Sequence, residues 1–347
     1  MAAVDPAVGA PPDIFRVLRR TWLAGTIALS LGAFAAAIVL APSGAREPGR
    51  ALGALLFLGS SMHVASTAWF YTLPEIRAHA LVHRTRYLIV PAALIAGTAL
   101  VAVLVPYERL EWALLAYFAW QFFHFQKQNL GMAALAGVSQ GGGSVLKPER
   151  LGIVIAGIGG IAGLVCHPEL LQLGVEPRLR ALFPAALAVF VAGVLLGLHA
   201  LAHRPNRPAG FVTVYLISLL FFAPVFVFTS PYAAVAGLTI AHGYQYLLIM
   251  GLVAGAPRRG RSGPTGLAVM MSIALIGGVA LNYASQLHTS SLPMERGLYG
   301  AYLGAVMAHF VIDAGLWRLR DEFPRRFLTA SVPYLLRPAV PPKAATH

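Results

Sequence analysis

The sequence predicts an all-α protein, a polytopic membrane helical bundle of about ten transmembrane helices with both termini cytoplasmic. Three observations carry that prediction. Of the 347 residues, 58% are hydrophobic and 11% charged, with a mean hydropathy of +0.70, whereas soluble domains carry about 25% charged residues. Apolar stretches of bilayer length recur along the chain. The excess of basic over acidic residues, 26 against 13, sorts by side of the bundle. An ordinary soluble enzyme is excluded, and no basic run with interleaved aromatics offers a nucleic-acid surface.

A bilayer core takes about 20 apolar residues per helix. Stretches at 21–42, 51–72, 87–106, 110–131, 151–171, 181–202, 209–229, 232–254, 265–286 and 298–318 meet this. The first follows RVLRR and precedes APSGA, as in a signal peptide, but it is longer than an h-region of about 7–15 residues, so it is read as a retained helix. The fifth contains GIVIAGIGGIAG at 152–163, small residues at a spacing that suits close helix packing in lipid. RPNRP at 204–208 and GAPRRGRSGP at 255–264 punctuate the later stretches as turns. The chain therefore divides into an N-terminal tail (1–20), a transmembrane domain (21–320) and a C-terminal tail (321–347). Residues 1–15 and 333–347, rich in Pro and Ala, are expected to be disordered or to lie on the surface.

With the N-terminus inside, 20 of the 26 basic residues fall on the inner side, leaving Arg46, Arg50, Arg109, Arg178, Arg180 and Arg296 outside. The positive-inside rule then puts both termini in the cytoplasm, which suits a bacterial-type plasma membrane. Cys166 is the single cysteine, which excludes an internal disulfide and any CxxC site.

Ionisable side chains at membrane depth are costly and mark function. The second, fourth, eighth and tenth stretches carry His63, His124, His242 and His309. At 1.5 Å per residue these lie about 18, 21, 15 and 17 Å from the outer ends of their stretches, in one layer slightly inside the midplane. Asp313, four residues after His309, shares its face, and is the only acid expected in the hydrocarbon region. Each histidine belongs to a polar stripe: Tyr117, Gln121, His124 and Gln128; Thr239, His242, Gln245 and Tyr246; Ser60, His63, Ser66 and Thr67. Lipid offers such stripes no hydrogen bonds, so they must face the interior and make a polar pocket, with Gln121, Gln128, Gln245 and Tyr246 around the histidines.

His79 and His83 form an HxxxH pair in the segment 73–86. If that segment is helical the pair binds a metal or caps the pocket from below; otherwise it is a solvated basic loop. His199 and His203, a second HxxxH, are read as interfacial. His167, His288 and His347 are given no role, and Trp69, Trp120, Trp317 and Tyr87 are assigned to interfacial belts or packing.

Neutral imidazoles with one carboxylate suit iron, zinc, copper or nickel, and the lack of thiolates argues against an iron–sulfur cluster. Calcium and magnesium prefer oxygen-rich shells. Asp313 either ligates or orients His309. Iron, as one or two ions, is the first choice, zinc and copper remaining open, because a buried, apolar-walled site can activate O₂ against a hydrocarbon entering from the bilayer. The expected function is O₂-dependent oxidation of an apolar lipid. Electrons would come from a cytoplasmic electron-transfer protein docking at Arg77, Arg84, Arg86, Arg258, Arg259 and Arg261. Two other classes use the same residues. One is a metal-ion or proton-coupled transporter. The other is a haem held by two histidines, which the common depth disfavours as a stacked pair.

HALVH at 79–83, after a long span, resembles the first histidine box of the membrane fatty acid desaturases and alkane hydroxylases. That likeness implies an iron pair near the cytoplasmic face with His79 and His83 among its ligands, although the HxxHH boxes of those families are absent here. AHG at 241–243 and HFVID at 309–313 followed by Arg318 are similar to motifs of the Brp/Blh membrane family, which cleaves β-carotene to retinal. That second likeness implies a carotenoid-cleaving dioxygenase with a mononuclear iron on His63, His124, His242 and His309.

Overall fold

The computed structural model describes residues 12–42, 47–175, 177–258 and 262–336, which are helical with no β-strand among them. Arg46, Arg259, Arg261, Arg337, Lys343 and His347 lie outside the described residues. In chain order the helices are α1 (Pro12–Leu40), α2 (Arg50–Thr72), α3 (Pro74–Val82), α4 (Thr85–Leu104), α5 (Tyr107–Ser139), α6 (Lys147–Cys166), α7 (Leu179–Ala202) and α8 (Ala209–Leu219). They continue as α9 (Ala223–Val227), α10 (Tyr232–Ala254), α11 (Gly263–Thr289), α12 (Pro293–Leu316), α13 (Glu322–Ser331) and α14 (Pro333–Leu336). Eight of them, α1, α2, α4, α6, α7, α10, α11 and α12, are long and apolar enough to cross a membrane.

Two of the ten expected spans differ from that set for separate reasons. The fourth is the single helix α5, whose 33 residues extend about 50 Å and whose polar stripe lowers its hydropathy. The seventh is broken into α8 and α9. Pro224 has no N–H for the Leu220 carbonyl and its ring would clash there, so the chain closes a tighter turn, Ala223 N–H to Leu220 O at 2.9 Å.

Small residues set the closest helix contacts. In α6 and α7, Gly152 lies against the backbone of Gly197 and Gly193 against that of Ala156, as the spacing at 152–163 predicts. The outer faces of α1, α4, α7 and α11 expose Val39, Leu104, Leu195 and Ile276, while Trp22, Trp69, Tyr215, Phe122 and Phe125 are fully buried. An apolar rim around an aromatic core is the pattern of a bundle whose solvent is lipid.

Described helical structure extends on both sides of the expected transmembrane domain. Helix α1 begins at Pro12, ahead of the expected residue 21. Residues 322–336 fold back on the bundle, so disorder or a surface position for 333–336 is corrected: Phe327, Leu328, Tyr334 and Leu335 are buried. The spacing of Pro324, Phe327, Leu328 and Ser331 gives α13 one buried face. Arg19 Nε donates to the Tyr334 carbonyl at 2.6 Å, and Arg258 Nη2 donates to Ser331 Oγ at 2.9 Å.

Asp313 is not the only enclosed acid. Glu149, in the first turn of α6, is fully buried and takes Arg204 Nη1 on Oε2 at 2.6 Å. The Leu146 N–H donates to the same oxygen at 2.7 Å. Arg204 also donates to the carbonyls of Asn206 (2.8 Å), Gly142, Gly143 (3.1 Å) and Ser144 (3.3 Å), and its guanidinium covers the Phe211 ring at 4.1 Å. This clamp ties the loop after α5 to the end of α7.

Candidate functional site: a ring of four histidines

His63, His124, His242 and His309 stand on α2, α5, α10 and α12, and local backbone brings them together. Helix α2 is irregular on both sides of His63: a π turn spans Leu58–Met62 and a 3₁₀ segment spans Thr67–Thr72. Such π turns rotate the face that follows them. Gly59 lies against the backbone of Ile240, and Gly243 against that of Gly59. The missing Cβ atoms let α2 and α10 approach until the rings of His63 and His242 meet.

The four rings close a cycle. Centroids of His63 and His242, His242 and His124, His124 and His309, and His309 and His63 are each 5.1 Å apart in edge-to-face contact. Phe125 stacks on His242 at 3.9 Å and Phe310 on His124 at 4.5 Å. The Nε2 atoms of all four histidines are enclosed with no hydrogen-bond partner in the protein. Leaving one buried polar atom unpaired costs about 1–3 kcal/mol, so four around one ring call for a partner from outside the protein. Ligand atoms of His63, His242 and His309 lie within 4.8 Å of one another, and so do those of His124, His309 and Asp313. These buried groups can hold a metal ion.

The surrounding hydrogen bonds orient one ligand. Tyr246 donates to Asp313 Oδ1 at 2.9 Å, Thr67 Oγ1 lies 2.9 Å from the Tyr246 hydroxyl, and the same Oγ1 lies 2.7 Å from His309 Nδ1. With Asp313 ionised, using each hydrogen once gives a single chain: His309 Nδ1–H to Thr67, Thr67 to Tyr246, Tyr246 to Asp313. That tautomer leaves a lone pair on His309 Nε2, 3.6 Å from Asp313 Oδ2. Two lone-pair bearers so placed favour a cation between or beside them. A polar partner on the non-ligating nitrogen is the usual way a metal-binding histidine is oriented.

On the other side, Gln128 Nε2 donates to the His242 carbonyl at 2.8 Å and to Gln245 Oε1 at 3.1 Å, while Gln245 donates to Ser30 Oγ at 2.7 Å. Gln128, Gln245 and Tyr246 thus surround the ring as the stripes suggest. The buried Oε1 of Gln121 joins none of these bonds. Thr67 is the participant that sequence reasoning left outside its site residues. Its position four residues after His63, on the same stripe, was the signal.

His79 and His83 do not join the ring. Their own rings are 4.6 Å apart, but His79 stacks flat on Phe323 at 3.9 Å, and both line a separate cavity of 770 Å³ with Arg84, Arg86 and Asp321. Helix α3 is present but ends at Val82, so His83 sits at its cap. Burial lowers the His79 pKa from its ordinary value, with His83 and Arg86 adding to the effect and Asp321 opposing it. His199 and His203 are exposed at the end of α7 with rings 4.3 Å apart. His167 pairs with Glu169 at 3.4 Å, and His288 is exposed.

A second cavity, of 590 Å³, reaches the ring at His124, Asp313 and Tyr246. Trp120 and Trp317, read from sequence as belt or packing residues, line it. Of the arginines expected to dock a partner, Arg77, Arg84 and Arg86 are exposed. Arg258 is instead engaged inside, 3.4 Å from Glu75 and over the Phe327 ring at 4.8 Å. The chain matches no family model, no curated protein and no solved structure.

Proposed function

We propose that the chain is an integral-membrane metalloenzyme that holds a single iron on His63, His124, His242 and His309 and carries out an O₂-dependent oxidation of an apolar lipid. The observation that carries this reading is the closed ring of imidazoles whose Nε2 atoms all lack a partner within the protein. Neutral imidazoles without thiolate suit iron among the first-row metals. That His79 and His83 line a separate cavity favours one ion over two, and the likeness of AHG and HFVID to the Brp/Blh family points the same way.

Iron bound there would supply O₂ activation. The protein's own part is to orient, exclude and admit. Thr67, Tyr246 and Asp313 fix His309, while Phe125 and Phe310 wall the rings from water. The cavity at His124 admits the substrate, and walls such as Trp120, Phe123, Leu130, Leu135 and Phe310 suit a hydrocarbon chain. Hydroxylation or desaturation fits a chain entering end-on better than cleavage does. The sorting of Lys and Arg supports cytoplasmic termini in a plasma membrane, with an electron-transfer protein meeting Arg77, Arg84 and Arg86.

Metal analysis of the purified protein, with oxygen uptake measured against a lipid extract and a reductant, tests the reading. Iron near one per chain, metal-dependent uptake, and loss of metal in His124→Ala but not in His288→Ala are expected. Unchanged metal in His124→Ala overturns the ligand set. No oxygen uptake, together with metal or proton flux in proteoliposomes, replaces the enzyme with a transporter.

A further inference from the structure

We propose that the cavity beside the histidine ring binds an amphiphile with an anionic headgroup. Lys127, Arg150, Arg318 and Arg320 would hold the headgroup, and its hydrocarbon chain would run toward His124. The chain's oxidation rests on the reading above; the binding does not.

These four cations come from three places in the fold. Lys127 stands on α5, Arg150 in the first turn of α6, and Arg318 and Arg320 between α12 and α13, yet all four line one cavity. Among the described residues its only lining carboxylate is Asp313, which already accepts from Tyr246 at the inner end. Nearby, Asp321 is a single carboxylate for two guanidiniums, 3.7 Å from Arg318 and 4.0 Å from Arg320. Among the described residues no acid pairs with Lys127 or Arg150, both of which are exposed. The positive-inside rule explains cations at one end of a bundle, but not their convergence on one opening.

The walls supply the other half of the recognition. Phe123, Leu130, Leu135 and Phe310 line the cavity, and Leu328 and Leu335 cover it from the C-terminal segment. Trp120 and Phe123, 37% and 48% exposed, form an edge open to where lipid would stand. A plain hydrocarbon would leave Lys127 and Arg150 without an anionic partner, and a small soluble anion would leave the walls unused. A fatty-acid carboxylate and a lipid phosphate share the chemistry that guanidinium groups bind through paired N–H donors.

Binding of radiolabelled oleate to the intact protein in phosphatidylcholine nanodiscs tests the proposal, with oleyl alcohol and a lysophosphatidate as competitors. An anionic competitor is expected to displace oleate about tenfold better than oleyl alcohol does. The double variant Lys127→Gln, Arg150→Gln should weaken oleate by about tenfold and leave the alcohol unchanged. Arg320→Gln should do the same to a smaller degree, and Arg50→Gln, which does not line the cavity, should do nothing. Tighter oleate assigns the carboxylate as the natural headgroup, and tighter lysophosphatidate assigns the phosphate. Equal displacement by the alcohol, or unchanged oleate affinity in both cavity variants, overturns the proposal. His242→Ala, whose side chain does not line the cavity, should keep oleate binding when metal is lost, so failure of the metal reading and failure of this one are told apart.

Discussion

Two buried polar clusters in this bundle are built on opposite terms. At the Glu149–Arg204 clamp two formal charges are enclosed, and the guanidinium donates to the carboxylate and to a row of carbonyls. At the histidine ring no formal charge is required on the imidazoles, yet four Nε2 atoms have no partner in the protein. The clamp pairs its two charges within the protein and leaves a single atom, Glu149 Oε1, without a hydrogen bond, whereas the ring leaves an imidazole nitrogen open on each of four neighbouring side chains. Neither burial nor one unpaired atom identifies a site, since Trp22 Nε1 and Trp69 Nε1 are buried and unpaired as well; what marks the ring is that several such atoms belong to neighbouring side chains able to ligate a metal.

The largest effect that this contrast predicts is on stability at the clamp. Arg204→Ala leaves the Glu149 carboxylate enclosed without its counter-ion, and should lower the unfolding free energy by about 3–5 kcal/mol. Thermal unfolding of the detergent-solubilised protein measures it, and a change within experimental scatter would remove the clamp's side of the comparison.

The ring should respond with the opposite sign. In metal-stripped protein, His242→Leu removes a ring whose nitrogens are both unpaired. Stability should therefore hold or rise by about 1 kcal/mol. The same substitution should abolish metal binding in the untreated protein. A metal-free variant several degrees less stable than its metal-free parent would mean that the imidazole is a structural packing group.

The smallest effect concerns a histidine that has a partner. His79 lies on Phe323 with its pKa lowered mainly by burial from the ordinary value of 6.5. The unfolded chain therefore binds the proton more tightly than the folded one, and stability is lost as pH falls through 6.5. In His79→Phe, which keeps the stack, the drop in melting temperature between pH 8 and pH 5 should be smaller than in the parent. Equal drops would show that His79 does not contribute to acid sensitivity.

How much of this was legible depends on whether a property is local. The common depth of His63, His124, His242 and His309 follows from residue counts alone, because an α-helix rises by a fixed 1.5 Å per residue. The shared face of His309 and Asp313 follows equally from their spacing of four. So does the close packing at 152–163, since small residues at helical spacing serve any neighbour. Glu149 lies just outside the apolar stretch 151–171, so hydropathy does not single it out, although a Glu at the third helical position is the acidic half of a capping box.

What only the tertiary structure decided is which groups meet. The π turn before His63 and the bare contact of Gly59 with Gly243 set the rotation and separation of two helices, and neither has a signature in hydropathy. Arg204 finds Glu149 across 55 residues, and Thr67 links His309 to Tyr246 across 242 and 179. His79 and His83 line a separate cavity instead, with His79 stacked on Phe323. Depth in a membrane is a one-dimensional quantity that each helix fixes for itself. Rotation about the helix axis, and so the partner of every polar atom, is fixed only when all the helices have packed.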